Sequence, residues 1–227
     1  MSTALVVGAS RGLGHGLAAE LVARGWSVIG TVRDAGRRTP LHELAEAHPD
    51  RVTVETLDVT DPGGPAALRQ RLEGSALDVV FVNAGTTSHQ DTPLGAVPVE
   101  AFTEVLLTNT LGPMRVVEAL LDVTAPGALI GAMTSGQGSI TNNTTGSREV
   151  YRASKAALNM AFRSLAAREP QRPLLLLAPG WVRTDLGGEE GTYSLEETLP
   201  LLADVVEAKR ARPGLEYLDR FGATVPW

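Results

Sequence analysis

Short apolar runs alternate along the whole chain with longer segments of helical periodicity, and this alternation limits the possible folds more than any other feature. Runs that are apolar throughout are typical of parallel strands covered by helices on both faces. The predicted strands are 4–9, 26–32, 51–57, 77–83, 127–134, 173–178 and 215–219, and the predicted helices are 12–24, 40–47, 63–73, 98–121, 149–168 and 195–210. We therefore predict a doubly wound α/β fold with a seven-stranded, mainly parallel sheet between two layers of helices.

The size and composition of the chain fit one domain of this kind. Its 227 residues can bury a large core, so we predict a single domain over residues 1–227. Hydrophobic residues make up 43% of the sequence and charged residues 20%, as in water-soluble globular proteins. The net charge of −6 argues against a general nucleic-acid-binding protein, and no apolar run is long enough to span a membrane. The sequence also begins without a targeting signal, so we expect a cytoplasmic protein that binds neither nucleic acid nor membrane.

Metal and thiol chemistry are not expected. The sequence has no cysteine, which excludes disulfides, thiolate nucleophiles and cysteine-ligated metals. The histidines lack the spacing of metal ligands; they are His15, His42, His48 and His89. We therefore predict no metal site.

Glycine-rich and polar motifs follow five of the predicted strands. Right-handed crossovers place the carboxyl ends of parallel strands along one edge of the sheet, where ligands of such folds bind. In chain order the motifs are GASRGLG, DVTD, NAG, SGQGS and PGWVRT. We expect them to form one site.

The first motif has the spacing G-x-x-x-G-x-G between a buried strand and a helix. Because glycine has no side chain, the backbone can turn sharply and approach a pyrophosphate, whose charge suits a helix N-terminus. A tight turn without a ligand is the alternative, and the position after a buried strand favours nucleotide binding. The predicted binding residues of this turn are Gly8, Ser10, Arg11, Gly12, Leu13 and Gly14.

A phenol and an ammonium group lie one helical turn apart in the run YRASK. The side chains of Tyr151 and Lys155 therefore meet on one face of the helix. A cation beside a phenol stabilises the phenolate and lowers a pKa that is normally about 10. This pair is compatible with proton-transfer chemistry and also with a solvated surface pair.

Together these motifs resemble the short-chain dehydrogenase/reductase family, whose single Rossmann domain binds a nicotinamide dinucleotide and whose catalytic pair is Y-x-x-x-K. The resemblance implies that Ser135, Tyr151, Lys155 and Asn109 are catalytic. Tyr151 would be the general acid, Ser135 would donate to the substrate oxygen, and Lys155 would stabilise the phenolate and reach the nicotinamide ribose. Asn109 would hold a water that links the lysine to solvent. Ser139 competes with Ser135 for the role of catalytic hydroxyl.

The resemblance also implies which cofactor is bound. An acidic residue at the end of the second strand selects NAD in this family, whereas Val32 occupies that place here. Arg33 follows it and Arg11 lies in the glycine turn, so two guanidinium groups could converge on a 2′-phosphate. We therefore predict NADP(H). The alternative is that both arginines are surface charges, and we interpret Asp34 as a turn or cap residue.

Other motif residues match cofactor-binding positions of the family. For each of them the alternative is a purely structural role at the end of a strand or in a turn. The residues are Asp58 and Val59 at the adenine, Asn83, Ala84 and Gly85 next to the cofactor, and Pro179, Gly180, Val182 and Thr184 at the nicotinamide carboxamide.

Within the family, the pattern resembles the subgroup of sniffer-type carbonyl reductases and C-factor, which shares the YR-x-SK-x-ALN run and the PW at 226–227. This resemblance implies NADPH-dependent reduction of a ketone or aldehyde, a small carbonyl or alcohol substrate, a homodimer or homotetramer, and a substrate loop at about 185–212. The alternatives are a nucleotide-binding signalling protein with little turnover and an NAD-dependent alcohol dehydrogenase. Candidate pocket residues are His89, Met133, Thr141, Asn143 and Trp181.

Overall fold

Seven strands form one sheet in the computed structural model, which describes residues 2–227. The strands are β1 Thr3–Val7, β2 Ser27–Val32, β3 Val52–Thr56, β4 Leu77–Val82, β5 Thr124–Met133, β6 Pro173–Ala178 and β7 Gly214–Asp219. Their order across the sheet is β3-β2-β1-β4-β5-β6-β7, and every neighbouring pair is parallel. The doubly wound sheet is confirmed, and it is wholly parallel where we predicted a mainly parallel one. Because the winding reverses between β1 and β4, the carboxyl ends of these two strands border the crevice where this fold binds ligands.

The helices cover both faces of the sheet. They are α1 Gly12–Ala23, α2 Pro40–Ala47, α3 Gly64–Arg71, α4 Val99–Leu106, α5 Gly112–Leu120, α6 Glu149–Arg168 and α7 Leu195–Lys209. Among the helices within residues 2–227, none has both the length and the apolar character that crossing a membrane requires.

The predicted helix 98–121 is interrupted in the structure. A π-helical turn, Leu107–Leu111, separates α4 from α5. Pro113 has no N–H group and cannot continue the regular hydrogen-bond ladder. Gly112 packs so tightly that a Cβ atom there would lie 2.6 Å from the carbonyl oxygen of Val59. These two residues explain why one long helix does not form.

Side chains of each buried strand alternate between two cores, as the two-residue period of a strand requires. Val6 and Phe81 pack under α1, α2 and α7, whereas Leu5 and Val80 pack under α3, α5 and α6. Burial of a side chain of this size contributes about 1.5–3 kcal/mol relative to exposure. The two cores hold the carboxyl ends of the strands in a fixed arrangement.

The predicted substrate segment 185–212 consists of a loop and a helix. Helix α7 packs against α1, where Leu199 lies so close to Gly16 that a Cβ atom on the glycine would be 2.3 Å from Cδ1 of the leucine. Helix α7 therefore belongs to the layer that covers the sheet. Only residues 185–194 form a loop beside the sheet edge.

Candidate active site

The glycine turn between β1 and α1 is closed tightly against the end of β4. Gly8 has a φ of +80°, and a Cβ atom there would lie 2.8 Å from the backbone nitrogen of Ala84. A Cβ atom at Gly14 would lie 2.1 Å from the carbonyl oxygen of Gly8. The Asn83 side chain donates to that same oxygen at 3.0 Å. A side chain is therefore excluded at Gly8 and at Gly14, and Asn83 ties β4 to β1.

The start of α1 fits a phosphate group. The N-cap residue, Arg11, makes no side-chain cap hydrogen bond, and the first turn contains no acidic residue. The N–H groups at this end are thus not taken up by a capping side chain, and they carry the positive end of the helix dipole. Gly12 has a φ of +56°, and a Cβ atom added there would have the Thr184 methyl group, at 3.7 Å, as its nearest neighbour. The turn and the segment after β6 therefore face each other.

The end of β2 carries no carboxylate that could select NAD. Val32 is buried, and Arg33 is exposed. The Asp34 carboxylate accepts from the backbone N–H of Gly36 at 2.9 Å, as expected of a turn residue. This end of the site is therefore open and basic.

Arg11 does not extend freely toward this basic end. Its Nη1 lies 2.6 Å from Oδ2 of Asp185, and both side chains are about two-thirds exposed (68% and 69%). The glycine turn is thus linked to the loop after Thr184. The sequence predicts that Arg11 and Arg33 converge on one phosphate, and the structure shows that Arg11 also has a protein partner.

Asp58 closes a turn at the end of β3. Its Oδ1 accepts from the backbone N–H of Thr60 at 2.8 Å and from the Thr60 hydroxyl at 2.7 Å. Oδ2 has no hydrogen-bond partner in the part of the chain that the structure describes. One carboxylate oxygen is therefore structural, and the other can accept from a ligand. Val59 is buried behind it.

Tyr151, Ser135 and Lys155 come together at the carboxyl end of β5. The Tyr151 ring is buried, and its hydroxyl interacts with the hydroxyl of Ser135 through a hydrogen bond. Lys155 is 3% exposed, and its Nζ lies 5.8 Å from the centroid of the Tyr151 ring. The same Nζ donates to the carbonyl oxygen of Met133 at 2.9 Å. The pair is a buried one, which excludes the solvated surface pair that the sequence left open.

Burial perturbs both titratable groups in opposite senses. Burial raises the pKa of Tyr151, while the Ser135 hydrogen bond and the positive charge of Arg148 act to lower it. Burial lowers the pKa of Lys155 from 10.5 to about 8. The pKa of the phenol is raised and that of the amine is lowered, and titratable groups perturbed in this way are concentrated at functional sites.

Asn109 lies in the π-helical turn and is completely buried. Its Oδ1 accepts from the backbone N–H of Thr86 at 2.8 Å, and its Nδ2 donates to the Thr86 carbonyl at 2.9 Å and to the Ser154 hydroxyl at 2.9 Å. A Cβ atom at Gly85 would lie 3.4 Å from Oδ1 of Asn109 and 3.5 Å from Nζ of Lys155. Asn109 therefore fixes the segment after β4 against α6, beside the lysine.

Ser139, the competing hydroxyl, is used elsewhere. It is 1% exposed, and its oxygen accepts from the backbone N–H of Asn142 at 3.1 Å and donates to the main-chain oxygen of Trp227 at 3.5 Å. Thr141 donates to the same oxygen of Trp227. Ser135 is thus the hydroxyl that contacts Tyr151.

The segment after β6 forms a tight turn beside the glycine turn. Gly180 has a φ of +86°, which favours glycine. The Thr184 hydroxyl accepts from the backbone N–H of Gly187 at 3.0 Å, and the exposed Trp181 side chain donates to the Gly187 carbonyl at 2.7 Å. Pro179, Gly180, Val182 and Thr184 therefore lie in a loop whose conformation is fixed by side-chain hydrogen bonds.

The comparisons with known proteins agree with this geometry. The family model for short chain dehydrogenases matches residues 2–193. The chain belongs to the short-chain dehydrogenase family. A short-chain dehydrogenase/reductase from Burkholderia multivorans, solved with bound NADP, is 54% identical with a TM-score of 0.98, over 100% of this chain and 99% of that chain.

Two relatives bear on the predicted subgroup within the short-chain dehydrogenase family. The carbonyl reductase Sniffer of D. melanogaster is 26% identical with a TM-score of 0.89, over 100% of both chains. C-signal of Myxococcus xanthus is 36% identical over 155 residues, which are 66% of this chain and 93% of that protein. The predicted similarity to this subgroup is confirmed.

Three residues of this short-chain dehydrogenase were missed at the site. Asp185 pairs with Arg11, Tyr217 donates to the backbone carbonyl of Ser135 at 2.6 Å, and Arg148 lies over the Tyr151 ring. The first two act through contacts between distant parts of the chain, which no local pattern indicates. Arg148 immediately precedes α6, and only its spacing of one turn from Tyr151 pointed toward the site.

Proposed function

We propose that this short-chain dehydrogenase reduces a ketone or aldehyde to an alcohol with NADPH, and that it runs in reverse when alcohol and NADP⁺ are abundant. The observation that supports this most is the buried Tyr151, whose hydroxyl shares a hydrogen bond with Ser135 and whose ring lies beside Lys155. These groups share one sheet edge with the glycine turn. Bound NADPH supplies the hydride that the carbonyl carbon accepts.

In this mechanism the three side chains handle the proton and the charge. Tyr151 gives its proton to the substrate oxygen as the carbonyl becomes an alcohol. Ser135 donates a hydrogen bond to the same oxygen and stabilises the negative charge that develops there. Lys155, when protonated, stabilises the phenolate that remains. Asn109 positions the lysine by fixing the neighbouring backbone at Gly85.

The cofactor in this proposal is NADP(H). The uncapped N–H groups at the start of α1 hold the pyrophosphate, and Oδ2 of Asp58 accepts from the adenine amine. Arg33 is exposed and makes no ion pair within the described residues, so its guanidinium group is available for the 2′-phosphate, with Arg11 as a second partner. Thr184 holds the carboxamide. The other proposed cofactor residues are Gly8, Ser10, Gly12, Leu13, Gly14, Val59, Asn83, Ala84, Gly85, Tyr151, Lys155, Pro179, Gly180 and Val182.

An assay of carbonyl compounds with NADPH tests this function, with Tyr151→Phe as the decisive variant. Loss of a general acid lowers kcat by about 10²–10⁴-fold. Binding of NADPH, measured separately by fluorescence, should stay close to wild type because the ring remains in place. Turnover that survives in Tyr151→Phe, or a wild-type protein that binds NADPH but reduces no carbonyl compound, would contradict the proposal. The second result would favour the signalling alternative.

We also propose that the protein is a homodimer or homotetramer. Large apolar side chains are exposed on α4, on the π-helical turn and on α6, including Val99 (72%), Leu111 and Met160 (62%). Exposed apolar surface of this kind is typical of interfaces. Light scattering at micromolar concentration should show more than one chain per particle, and Met160→Glu should lower the particle mass. A monomeric wild-type protein would contradict this.

A further inference from the structure

Arg148 lies next to the proposed proton donor in an unusual backbone conformation. It immediately precedes α6, three residues before Tyr151, with φ +61° and ψ +42°. This left-handed region is unfavourable for a residue with a Cβ atom, and such residues are concentrated at functional sites. The guanidinium carbon lies over the Tyr151 ring, 5.1 Å from its centroid. The side chain is therefore held toward the catalytic group and not toward solvent.

Two donors of this guanidinium group are buried and unused. Nε and Nη2 of Arg148 have no hydrogen-bond partner, and the side chain forms no ion pair with any described residue. Burial of charged donors without a partner is unfavourable. The neighbouring Arg152 differs, since its Nε donates to the Ser147 carbonyl at 2.6 Å and its Nη2 donates to the Thr145 hydroxyl at 3.0 Å.

The two unused donors form the edge of the guanidinium group that binds a carboxylate with two hydrogen bonds. The same chain shows this geometry on its surface, where Nε and Nη2 of Arg69 donate to the two carboxylate oxygens of Asp122 at 3.1 and 2.6 Å. Such paired, charge-assisted hydrogen bonds are among the strongest that side chains make. Arg148 thus presents a complete carboxylate-binding edge without a carboxylate.

The segment that holds Arg148 also carries unused polar atoms. The backbone N–H of Arg148 donates to the carbonyl of Gln90 at 3.0 Å, which ties α6 to the segment that follows β4. In that segment the hydroxyl oxygens of Thr87 and Ser88 are buried and have no hydrogen-bond partner within residues 2–227, and the same is true of Oε1 of Gln137, two residues after Ser135. Unpaired polar groups therefore occur on three segments that adjoin Ser135 and Tyr151.

We propose that Arg148 binds an anionic group of the substrate, so that the compound reduced at Tyr151 is a carbonyl compound bearing a carboxylate or a similar acidic group. This proposal rests on the proposed function and specifies its substrate class. A neutral substrate would leave the Arg148 donors unpaired in the complex, whereas an anionic one would satisfy them. The contact would also fix the distance between the acidic group and the reacting carbonyl.

Matched pairs of substrates test the proposal. The pairs are pyruvate, acetoacetate and levulinate with the methyl esters of the same acids, and the variants are Arg148→Gln, Arg148→Lys and, as a control, Arg152→Gln. For at least one chain length, wild-type kcat/KM should be higher for the acid than for its ester. Arg148→Gln should lower kcat/KM for that acid by about 10- to 100-fold and for the ester by less than about 3-fold. Arg148→Lys should retain part of the preference because it keeps the charge but loses the paired geometry.

Several results would overturn the proposal. Esters could be preferred at every chain length, Arg148→Gln could affect acid and ester equally, or Arg152→Gln could abolish the preference as strongly as Arg148→Gln. If no carbonyl compound is reduced, the proposed function fails, and binding still decides the role of Arg148. In that case ligand-observed NMR should detect the acids on the wild-type protein and not on Arg148→Gln, and equal binding to both would count against the site.

Discussion

Tyr217 donates a hydrogen bond from its hydroxyl to the backbone carbonyl of Ser135, with 2.6 Å between the two oxygens. Burial raises the pKa of Tyr217 to about 12, so the hydroxyl keeps its proton throughout the neutral range. The Trp227 ring packs against it at 5.3 Å between centroids, and the main-chain oxygen of Trp227 accepts from the backbone N–H of Thr141 at 2.9 Å. Strand β7 and Trp227 therefore hold the segment that carries Ser135 in place.

We predict that Tyr217→Phe lowers activity without weakening cofactor binding. The variant keeps the packing of the ring but releases the carbonyl of Ser135, so the hydroxyl of Ser135 loses part of its orientation. Misplacement of a catalytic group lowers kcat, here by about 10-fold. Loss of the hydrogen bond should also lower the free energy of unfolding by about 1 kcal/mol. Steady-state kinetics and denaturant unfolding measure the two effects.

Tyr193→Phe is the matched control for this variant. The Tyr193 hydroxyl has no hydrogen-bond partner among residues 2–227, although its ring packs against Arg220. Removal of the Tyr193 hydroxyl should therefore change the free energy of unfolding and kcat little. If Tyr217→Phe and Tyr193→Phe have equal kinetic effects, Tyr217 does not position Ser135.

The pH dependence of carbonyl reduction should report the titration of Lys155. Burial lowers the pKa of this amine to about 8. Above that pKa the amine is neutral and no longer stabilises the Tyr151 phenolate, so kcat for reduction should fall as the pH rises through about 8. A pH–rate profile of kcat at saturating NADPH measures this. A profile that stays flat across that pKa would show that the lysine charge does not assist proton transfer.

The same buried amine should make stability depend on pH. The folded-state pKa of Lys155, about 8, lies below the unfolded value of 10.5, so the unfolded state binds more protons between these values. Stability therefore rises with pH across this window, and the cost of burying the charge is fully present below it. In Lys155→Met this rise should be absent. The difference in the free energy of unfolding between wild type and variant should therefore change across this pH window by a value on the order of 3 kcal/mol. Urea unfolding at several pH values measures the difference, and parallel curves for the two proteins would exclude a shifted Lys155.

Much of the fold and of the site could be predicted because local chemistry determines it. The most apolar runs predicted the central strands, since strands buried on both faces need no polar alternation, whereas the runs of β3 and β7 also contain polar residues and are only partly buried. The glycine turn was predictable because Gly8 and Gly14 occupy places where a Cβ atom would collide with backbone. The pairing of Tyr151 with Lys155 was predictable because one helical turn separates them.

The remaining features depend on contacts that the sequence does not mark. Tyr217 and Ser135 belong to separate strands, and nothing in the LEYLD run indicates a partner for the tyrosine. The left-handed backbone of Arg148 was unpredictable because glycine and asparagine, not arginine, signal that conformation. The π-helical turn had a signal, the Gly112 and Pro113 pair, but its length and register depend on packing against Val59.

The ion pair between Arg11 and Asp185 should weaken the binding of NADP(H) relative to NAD(H). If Arg11 contacts the 2′-phosphate, it must leave the carboxylate of Asp185, which lies 2.6 Å from its Nη1. Exposed ion pairs contribute at most about 1 kcal/mol, so Asp185→Asn should tighten NADP⁺ binding by up to about 5-fold. Binding of NAD⁺, which lacks the phosphate, should change little.

A double-mutant cycle separates this effect from a general change in the loop. In an Arg11→Ala background, Asp185→Asn should have no effect on NADP⁺ binding, because the arginine for which the two anions compete is absent. Calorimetry with 2′,5′-ADP, which carries the phosphate but no nicotinamide, should give the same coupling energy between the two substitutions. This result would locate the coupling at the adenosine end of the cofactor. If Asp185→Asn tightens binding equally with and without Arg11, the carboxylate acts on the cofactor through its charge alone, and Arg11 does not contact the 2′-phosphate.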